Sequence, residues 1–319
     1  MTIAPIHKKT QEFRSLSIVV PLFNEESLIS ELTRQLGDSY RELNKNVPTR
    51  IVFVNNGSTD GTLEMLLKFM ESGIPAEVLT LSRNFGYEAA VIAGLDFSNS
   101  DLYAVVDGDG EDPIDLLPNF LSRILDGAEI VQGLRMQRQE SRLLQMFRRT
   151  SYWVLSKISD EPFGVDVGNF SMFTRRVRDG VLIENKHFPF MRATISRIGF
   201  RVEKVAHDRN KRIDGKSHYK KVSLLKFALL GFLTSTTWPL RFTFYFGFIV
   251  SGLVSFFVLM SFFIGLNELA WKRLLILLIS QILVMIGIVG IYVARVYKHS
   301  LGRPIYYFDL SESYTNIQA

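Results

Sequence analysis

The stretch VFVNNGSTDGT, Val52 to Thr62, passes from apolar residues directly into polar ones, which predicts a buried strand, a tight turn and the start of a helix. Turn chemistry accounts for Gly57 and one asparagine. Thr59 or Asp60 could cap the helix that follows. The turn still holds more hydrogen-bonding groups than its own geometry requires. The role of the remaining polar groups has to be inferred from the sequence motifs on either side of the turn.

Strand-like and helix-like segments alternate between residues 15 and 135. Helical patterns of about 10 to 15 residues separate five apolar runs with strand character. The runs are LSIVVPLF (16–23), RIVFVN (50–55), AEVLTLS (76–82), DLYAVVD (101–107) and AEIVQG (128–133). The alternation predicts βαβ units and an α/β fold with a mostly parallel sheet. Asn24, directly after the first run, is expected to cap the next helix.

The polar clusters of this region all follow predicted strands, where such sheets bind ligands. The most informative is VVDGDGEDP, Val105 to Pro113, in which Asp107 and Asp109 stand two residues apart. Carboxylates at this spacing can share a hard cation such as Mg²⁺ or Mn²⁺. The alternative is an acidic surface turn in which Asp112 caps a helix.

Composition excludes several classes of protein. The 319 residues include 37 Lys and Arg against 32 Asp and Glu, and this net charge of +5 does not by itself indicate nucleic acid. Cysteine is absent, which excludes disulfides and thiolate metal sites. No GxGxxG or P-loop follows a strand, and the polar N-terminus lacks the apolar core of a signal peptide.

Two uncharged apolar runs near the C-terminus, Phe242 to Gly265 and Leu274 to Ala294, predict membrane spans, because roughly 20 residues of helix cross the ~30 Å hydrocarbon layer. Buried core helices are the alternative, although these rarely stay uncharged on every face. The short connector LNELAWKR makes the runs a hairpin. Basic residues are more numerous outside the hairpin than in the connector, which places both flanks and the first domain in the cytoplasm.

The segment KKVSLLKFALLGFLTS, Lys220 to Ser235, has a broad apolar face and lysines at its start. It suits a helix lying in the membrane interface, or a packed helix of the first domain. The predicted organisation is a catalytic domain (1–210), a juxtamembrane amphipathic segment (211–239), two transmembrane helices (240–296) and a cytoplasmic C-terminal tail (297–319).

The motifs PLFNEES, VNNGSTDGT, LSRNFGYEAA, VVDGDGEDP and GLR, in this order and spacing, resemble those of the family 2 inverting glycosyltransferases with a GT-A fold. LSRNFGYEAA (81–90) and RIDGKSHY (212–219) narrow the resemblance to the branch of dolichyl-phosphate mannose synthase and the bacterial polyprenyl-phosphate glucosyltransferases. The resemblance covers about residues 15 to 310. It implies a Rossmann-like GT-A domain in the cytoplasm, with interfacial amphipathic helices and a transmembrane hairpin that anchors the enzyme in the cytoplasmic (inner) membrane.

The resemblance also implies roles for individual residues. The donor nucleotide would be bound by Pro21, Phe23, Asn24, Glu25, Asn56, Ser58, Arg83, Asp107 and Gly108. Mg²⁺ or Mn²⁺ would be held by Asp107, Asp109 and Glu111, and the acceptor phosphate by Arg135, Arg138, Ser141 and Arg212. Arg83 could instead form a buried ion pair. Asp107, Asp109 and Asp166 form the catalytic set, in which Asp166 is expected to position groups rather than remove a proton.

This sequence departs from the usual family motifs at several positions. Asn55 and Asn56 stand where relatives usually carry two aspartates, and Asn169 stands where another is common. Gly108 and Glu111 replace the alanine and glutamine of the usual metal motif. An amide both donates and accepts hydrogen bonds, so Asn56 could still accept from a uracil N–H.

The implied reaction moves a hexose from a nucleotide sugar to a polyprenyl phosphate, with inversion, for modification of cell-envelope glycans such as lipopolysaccharide. UDP-glucose is the commonest donor among look-alikes, and UDP-N-acetylhexosamines, UDP-galactose and GDP-mannose stay open. A homo-oligomer, often a tetramer in relatives, is implied as well. The alternatives are a membrane-tethered sugar-nucleotide binder without catalysis and a processive polysaccharide synthase, although the Q-x-x-R-W motif of such synthases is absent.

Overall fold

The computed structural model describes residues 13–135, 167–184, 191–208, 237–264 and 268–317. The described residues form two units, one built on a mixed sheet and one consisting of two long helices. Each unit is described by itself.

The first unit begins with the predicted alternation of strands and helices. Its first nine elements are β1 (Leu16–Leu22), α1 (Glu26–Leu43), β2 (Thr49–Asn55), α2 (Thr62–Met70), β3 (Ala76–Leu81), α3 (Tyr87–Phe97), β4 (Leu102–Val105), α4 (Leu117–Leu125) and β5 (Ile130–Arg135). A short 3₁₀ turn, Ile114–Leu116, leads into α4. All five strands predicted from the apolar runs are present, and the predicted α/β class is confirmed.

Further elements complete the sheet. They are β6 (Val167–Thr174), α5 (Arg175–Glu184), α6 (Met191–Arg197), β7 (Val202–His207) and, near the C-terminus, β8 (Phe308–Thr315). The strand order is β7-β5-β6-β4-β1-β2-β3-β8. The block β4-β1-β2-β3 is parallel, as is the pair β5 and β7, whereas β6 and β8 run antiparallel to their neighbours. The sheet is therefore mixed.

Both faces of the central strands are buried. In β1, Leu16, Ile18 and Val20 pack into one core cluster, and Val19 packs into the cluster on the opposite face. Side chains alternate between the faces of a strand, so a strand covered on both sides must be apolar throughout. Residues of α1, α2 and α4 cover the first face, and residues of α3, α5 and α6 cover the second.

The second unit contains α7 (Trp238–Ile264) and α8 (Glu268–Ser300). Within them, Trp238–Met260 and Leu274–Ala294 are long and apolar enough to cross a membrane, with mean hydropathies of 2.1 and 2.8. Ring centroids of Phe257 and Trp271 lie 6.2 Å apart. A Cβ on Gly247 would lie 2.9 Å from the Met285 side chain. The two helices thus pack against each other as a hairpin, and the predicted amphipathic segment, residues 220–235, lies outside the described residues.

Candidate active site

Four polar turns meet at one edge of the sheet. They follow β1, β2, β3 and β4, which are parallel neighbours, so their carboxyl ends lie side by side. The turns contain residues 23–25, 56–61, 82–86 and 106–113. Of the nine residues predicted to bind the donor nucleotide, eight therefore lie in these turns, and Pro21 lies near the end of β1, just before the first turn.

Asn24 joins the first two turns. Its backbone N–H donates to Ser58 Oγ at 3.0 Å, and its Oδ1 accepts from the Thr59 N–H at 2.8 Å. Asn24 is the only non-glycine among the described residues with a positive φ, at 54°. The prediction that Asn24 caps α1 is wrong, because Glu25 is the N-cap residue and the side-chain oxygen Oδ1 of Asn24 accepts from Thr59 in the second turn instead.

Asp60 fixes the start of α2 and ties it to α1. Its Oδ1 accepts from both the backbone N–H and the hydroxyl of Thr62, and its Oδ2 accepts from the Glu26 N–H. Burial by itself would raise the pKa of Asp60, but these hydrogen bonds from Thr62 and Glu26 lower it below its ordinary value. The residue at the N-cap of α2 is Gly61 rather than Thr59 or Asp60, and Asp60 instead stabilises the turn before the helix through these contacts.

Of the two asparagines of the opening stretch, Asn55 stabilises the second turn and Asn56 links that turn to the third. Asn55 Oδ1 accepts from the Ser58 N–H at 3.0 Å. Asn56 is only 3% exposed; its Oδ1 accepts from the Phe85 N–H at 3.0 Å, and its Nδ2 donates to Asn84 Oδ1 at 3.2 Å. An aspartate at this position could not make the second bond, since a carboxylate only accepts. The amide thus links the second turn to the third, and its contact with a nucleotide base stays a prediction.

Two glycines allow these turns to approach each other. A Cβ on Gly57, whose φ is +69°, would lie 2.6 Å from the Arg83 carbonyl carbon. A Cβ on Gly108 would lie 2.6 Å from the Pro21 carbonyl oxygen and 2.5 Å from Leu22 Cδ2. Such distances exclude any larger residue without backbone movement, which explains why this chain has glycine at both positions.

Arg83 lies on the surface of the third turn. Its guanidinium carbon stands 4.1 Å from the centre of the Phe85 ring, a cation–π distance, and its Nη1 donates to the Asn84 carbonyl at 3.3 Å. Because Arg83 is exposed, the alternative of a buried ion pair is wrong. The exposed Phe23 belongs to the same edge of the sheet.

In the acidic turn after β4, carboxylates of the turn accept hydrogen bonds from backbone N–H groups of the same turn. Asp109 Oδ1 accepts from the Glu111 N–H at 3.1 Å, and Asp112 Oδ2 accepts from the Asp107 N–H at 3.3 Å. Asp112 is fully buried, Glu111 is nearly so, and no side chain caps the 3₁₀ turn that follows, so the alternative of an acidic surface turn in which Asp112 caps a helix is wrong. The oxygen donors of Asp107, Asp109 and Glu111 fit Mg²⁺ or Mn²⁺. Within the described ranges, no three His, Cys, Asp or Glu side chains are grouped closely enough to hold an ion by themselves, so the phosphates of a bound nucleotide would have to supply further ligands.

Tyr87 is a residue of this site that the sequence analysis did not single out. It is the first residue of α3, and its hydroxyl donates a hydrogen bond to Asp107 Oδ1. Burial and the adjacent Asp107 carboxylate raise the pKa of Tyr87 well above its ordinary value. Its place in the motif LSRNFGYEAA was the only available signal, because a tyrosine at the start of a helix usually indicates packing.

Most of the residues predicted to contact the acceptor, and the predicted catalytic residue Asp166, lie outside the described residues. Arg135 is the last residue of β5. Arg138, Ser141, Asp166 and Arg212 lie outside the described residues. β6, which begins directly after Asp166 in the chain, pairs its first residue with Leu134. Roles for these residues in binding or catalysis stay predictions.

An α/β sheet that carries polar and acidic turns at the carboxyl ends of its parallel strands is built to bind a ligand at that edge. The chain matches glycosyl transferase family 2 over residues 17–191, more than half its length, and it belongs to that family. It is a glycosyltransferase with a mixed α/β, GT-A-like fold, as the motifs implied.

Relatives match over nearly the whole chain. A protein of Bacillus subtilis strain 168 named uncharacterized glycosyltransferase YkcC is 30% identical over 94% of this chain and 95% of its own. The prophage bactoprenol glucosyl transferase homolog of Escherichia coli K12 is 31% identical over 91% of this chain and 97% of its own. The bactoprenol glucosyl transferase of Shigella phage SfV shows the same values.

Solved structures give more distant matches. Glucosyl-3-phosphoglycerate synthase from Mycobacterium tuberculosis is similar with a TM-score of 0.47 and 18% identity, over 70% of this chain and 80% of that one. The mannosyltransferase PcManGT from Pyrobaculum calidifontis, solved with GDP-Man and Mn²⁺, is similar with a TM-score of 0.45 and 17% identity, over 66% and 59%.

Proposed function

We propose that this protein transfers a hexosyl group from a nucleotide sugar to polyprenyl phosphate at a membrane, with UDP-glucose as the first donor to test. The observation that carries the proposal is the 31% identity to a bactoprenol glucosyl transferase, which extends over 91% of this chain. A match of that extent includes the apolar helices as well as the sheet. Bactoprenol is a polyprenyl lipid, so both the reaction and its membrane setting are inferred together.

In the proposed reaction, an oxygen of the lipid phosphate attacks the anomeric carbon of the sugar. The bond from that carbon to the donor diphosphate breaks, the nucleoside diphosphate leaves, and the configuration inverts. Asp107, Asp109 and Glu111 would hold the divalent cation, which when bound neutralises charge on the leaving diphosphate. The acceptor is already largely a dianion near neutrality, since the second pKa of a phosphate monoester is about 6. The chain therefore needs to position the acceptor more than to activate it.

The donor would lie across the four strand ends. The turns of residues 56–61 and 82–86 are tied together through Asn56, so they form one surface for the nucleoside. Arg83 is exposed at that surface and could meet the diphosphate as a cation. Arg135, Arg138, Ser141 and Arg212 are the proposed contacts of the acceptor phosphate. Cations are needed there because two anionic substrates must approach each other.

The two long helices support the proposal of membrane attachment. Their apolar spans are almost entirely unburied within the chain; Phe248, for example, is 76% exposed. Exposed apolar surface of this extent requires an apolar environment, which a bilayer supplies. Because β8 follows both helices and rejoins the same sheet as β1 to β7, a chain that crosses the membrane must cross it twice. We propose the cytoplasmic membrane, the catalytic domain in the cytoplasm, and a homo-oligomer.

The test uses membranes containing the full chain, undecaprenyl phosphate and labelled UDP-glucose, UDP-galactose, UDP-N-acetylglucosamine or GDP-mannose in parallel. Transfer of one label into the organic phase supports the proposal and identifies the donor. The Asp107→Asn and Asp109→Asn variants should lose transfer, whereas Asp115→Asn, a nearby exposed carboxylate, should retain it. Binding of a nucleotide sugar with no lipid product from any donor would overturn the proposal and favour a binder without catalysis.

A further inference from the structure

Three elements of the fold meet at the Tyr87 hydroxyl. Tyr87 is the first residue of α3, Asp107 lies just beyond the end of β4, and Asn169 belongs to β6. The hydroxyl donates to Asp107 Oδ1, and the Asn169 side chain also hydrogen-bonds this hydroxyl. We infer that Tyr87, oriented by Asn169, is a positioning residue that sets the Asp107 carboxylate for the divalent cation. This inference rests on the proposed function.

The direction of these hydrogen bonds follows from their chemistry. A carboxylate only accepts, so the single proton of the Tyr87 hydroxyl must point at Asp107. The hydroxyl oxygen can then only accept from Asn169, and the group that donates is the Asn169 Nδ2. An asparagine therefore gives the chain one direction, from Asn169 through Tyr87 to Asp107. A carboxylate at position 169 would compete for the same proton.

The strand register explains why these residues meet. β4 and β6 are antiparallel, with Val105 paired to Ser171. Continuing this register by two residues brings Asp107 opposite Asn169, although the ladder itself ends at Val105. Asn169 is buried, at 4% exposure, so its amide has a fixed environment. Tyr87 reaches this pair from the helix that covers the same face of the sheet.

The neighbouring contacts hold Tyr87 in place. Glu88, the next residue of α3, accepts from the backbone N–H of Met191 at 3.1 Å, which ties the start of α3 to the start of α6. The backbone N–H of Asp107 donates to Asp112 at 3.3 Å. Asp107 is thus held at its backbone by the acidic turn and at one carboxylate oxygen by Tyr87. The two restraints, at the backbone and at Oδ1, fix the orientation of the Asp107 carboxylate. Hydrogen bonds that orient a metal ligand in this way usually raise the affinity of the site for the metal.

The experiment measures Mn²⁺ affinity directly, without turnover. The full chain in detergent, saturated with UDP, is titrated with Mn²⁺, and unbound Mn²⁺ is followed by electron paramagnetic resonance. The Tyr87→Phe variant keeps the ring and should weaken Mn²⁺ binding about 10- to 100-fold. Asn169→Leu, which is similar in size but cannot donate, should weaken binding by about 3- to 10-fold. In the double variant, Asn169→Leu should add nothing to Tyr87→Phe, because Asn169 acts through the missing hydroxyl.

A matched control exists at the other end of the same helix. The Tyr306 hydroxyl donates to Asp96 Oδ2 at 2.5 Å, and Asp96 is also a residue of α3. Tyr306→Phe removes a comparable tyrosine–aspartate hydrogen bond and should leave Mn²⁺ affinity within twofold of the wild type. A merely structural role for Tyr87 would lower the melting temperature in both variants and change Mn²⁺ affinity in neither.

The outcomes separate the inference from the proposed function. If the wild-type chain binds Mn²⁺ and the Mn²⁺ affinity of Tyr87→Phe is within twofold of the wild-type value, the inference is overturned. The proposed function is not affected by that result. Additive losses for Tyr87→Phe and Asn169→Leu overturn the part assigned to Asn169. Failure of the wild-type chain to bind Mn²⁺ in the presence of UDP overturns both proposals together.

Discussion

The backbone N–H of Ser82 donates a hydrogen bond of 2.9 Å to the carbonyl oxygen of Tyr307, which joins the turn after β3 to the segment that follows α8. The rings of Phe85 and Tyr307 also lie 6.1 Å apart. β8 then pairs with β3 and covers an edge that would otherwise be exposed. The C-terminal segment therefore supports the turn that carries Arg83, although the segment and the turn are far apart in sequence.

Asn316 should be the strongest single attachment of this segment. Its Oδ1 accepts from the Ala76 N–H at 2.8 Å, and its Nδ2 donates to the carbonyls of Met70 and Ile74 at 2.9 and 2.8 Å. We expect Asn316→Ala to cost about 1–2 kcal/mol, discounted for the exposure of the side chain, and to lower the melting temperature by about 2–8 °C. Asn119→Ala, which loses one exposed bond to Arg123, should change the melting temperature little. Equal values for the two variants would contradict this prediction.

Replacement of Gly57 by alanine should impair the donor site more than the fold. Gly57 and Gly73 have similar positive φ values, +69° and +78°, so alanine is strained at both positions. Only at Gly57 would the new Cβ meet the Arg83 backbone, at 2.6 Å, whereas nothing lies within 4 Å at Gly73. We expect Gly57→Ala to lower kcat/KM for the donor by up to about 100-fold, since displaced turns misplace the substrate. Steady-state kinetics of both variants would decide, and a similar loss in Gly73→Ala would argue against a role for this contact.

Gly94 should be required for packing of α3 on the sheet. A Cβ there would lie 2.5 Å from Val19 Cγ1 and 2.8 Å from Val54 Cγ2, both in buried strands. Gly94→Ala is therefore expected to lower the free energy of unfolding by about 1–3 kcal/mol. Gly180, also inside a helix, has its nearest such neighbour at 3.6 Å, an ordinary contact. Gly180→Ala should be neutral or stabilising by up to about 1 kcal/mol. Denaturant unfolding would measure the free energy of unfolding of both variants, and equal values for the two would contradict the prediction.

Asp60 should make stability depend on acidic pH. Its folded pKa lies below the ordinary value of 3.8, so its stabilising contribution is fully present above that value and is lost as the pH falls through the folded pKa. Asp60→Asn should therefore be less stable than the wild type at pH 7, and the gap should narrow below about pH 4. Melting temperatures of the two proteins between pH 7 and pH 3 would test the sign. A gap that stays constant over this range would show that the Asp60 charge is not involved.

Asp166 is expected to position groups rather than to act as an obligatory base. The acceptor phosphate is already largely deprotonated near neutrality, because its second pKa is about 6. Asp166→Asn should therefore reduce turnover without abolishing it. Single-turnover transfer of labelled sugar would measure the effect, with donor and lipid affinities as controls. Complete loss of transfer with both substrates bound normally would identify Asp166 as a true base.

The sequence by itself determined the alternating core of the fold and the two apolar helices. β1 to β5 are short apolar runs, and a strand covered on both faces must have that composition, so local pattern was sufficient. The polar turns could also be placed at one edge of the sheet, because neighbouring parallel strands have their carboxyl ends at the same edge. The identity of Asp107 and Asp109 as a candidate cation site also follows from their spacing at a strand end.

Only the tertiary structure decided the edges of the sheet and the partners of its polar groups. β7 and β8 lie at the two ends of the strand order, and their largely exposed, polar residues give no apolar run to detect. The local chemistry of Asn24 suits a helix cap, yet its side-chain Oδ1 accepts a hydrogen bond from Thr59, in the turn that follows β2. Tyr87 and Asp107 likewise meet through helix packing on the sheet. Hydrogen bonds between residues distant in sequence depend on strand order and register, which no local pattern encodes.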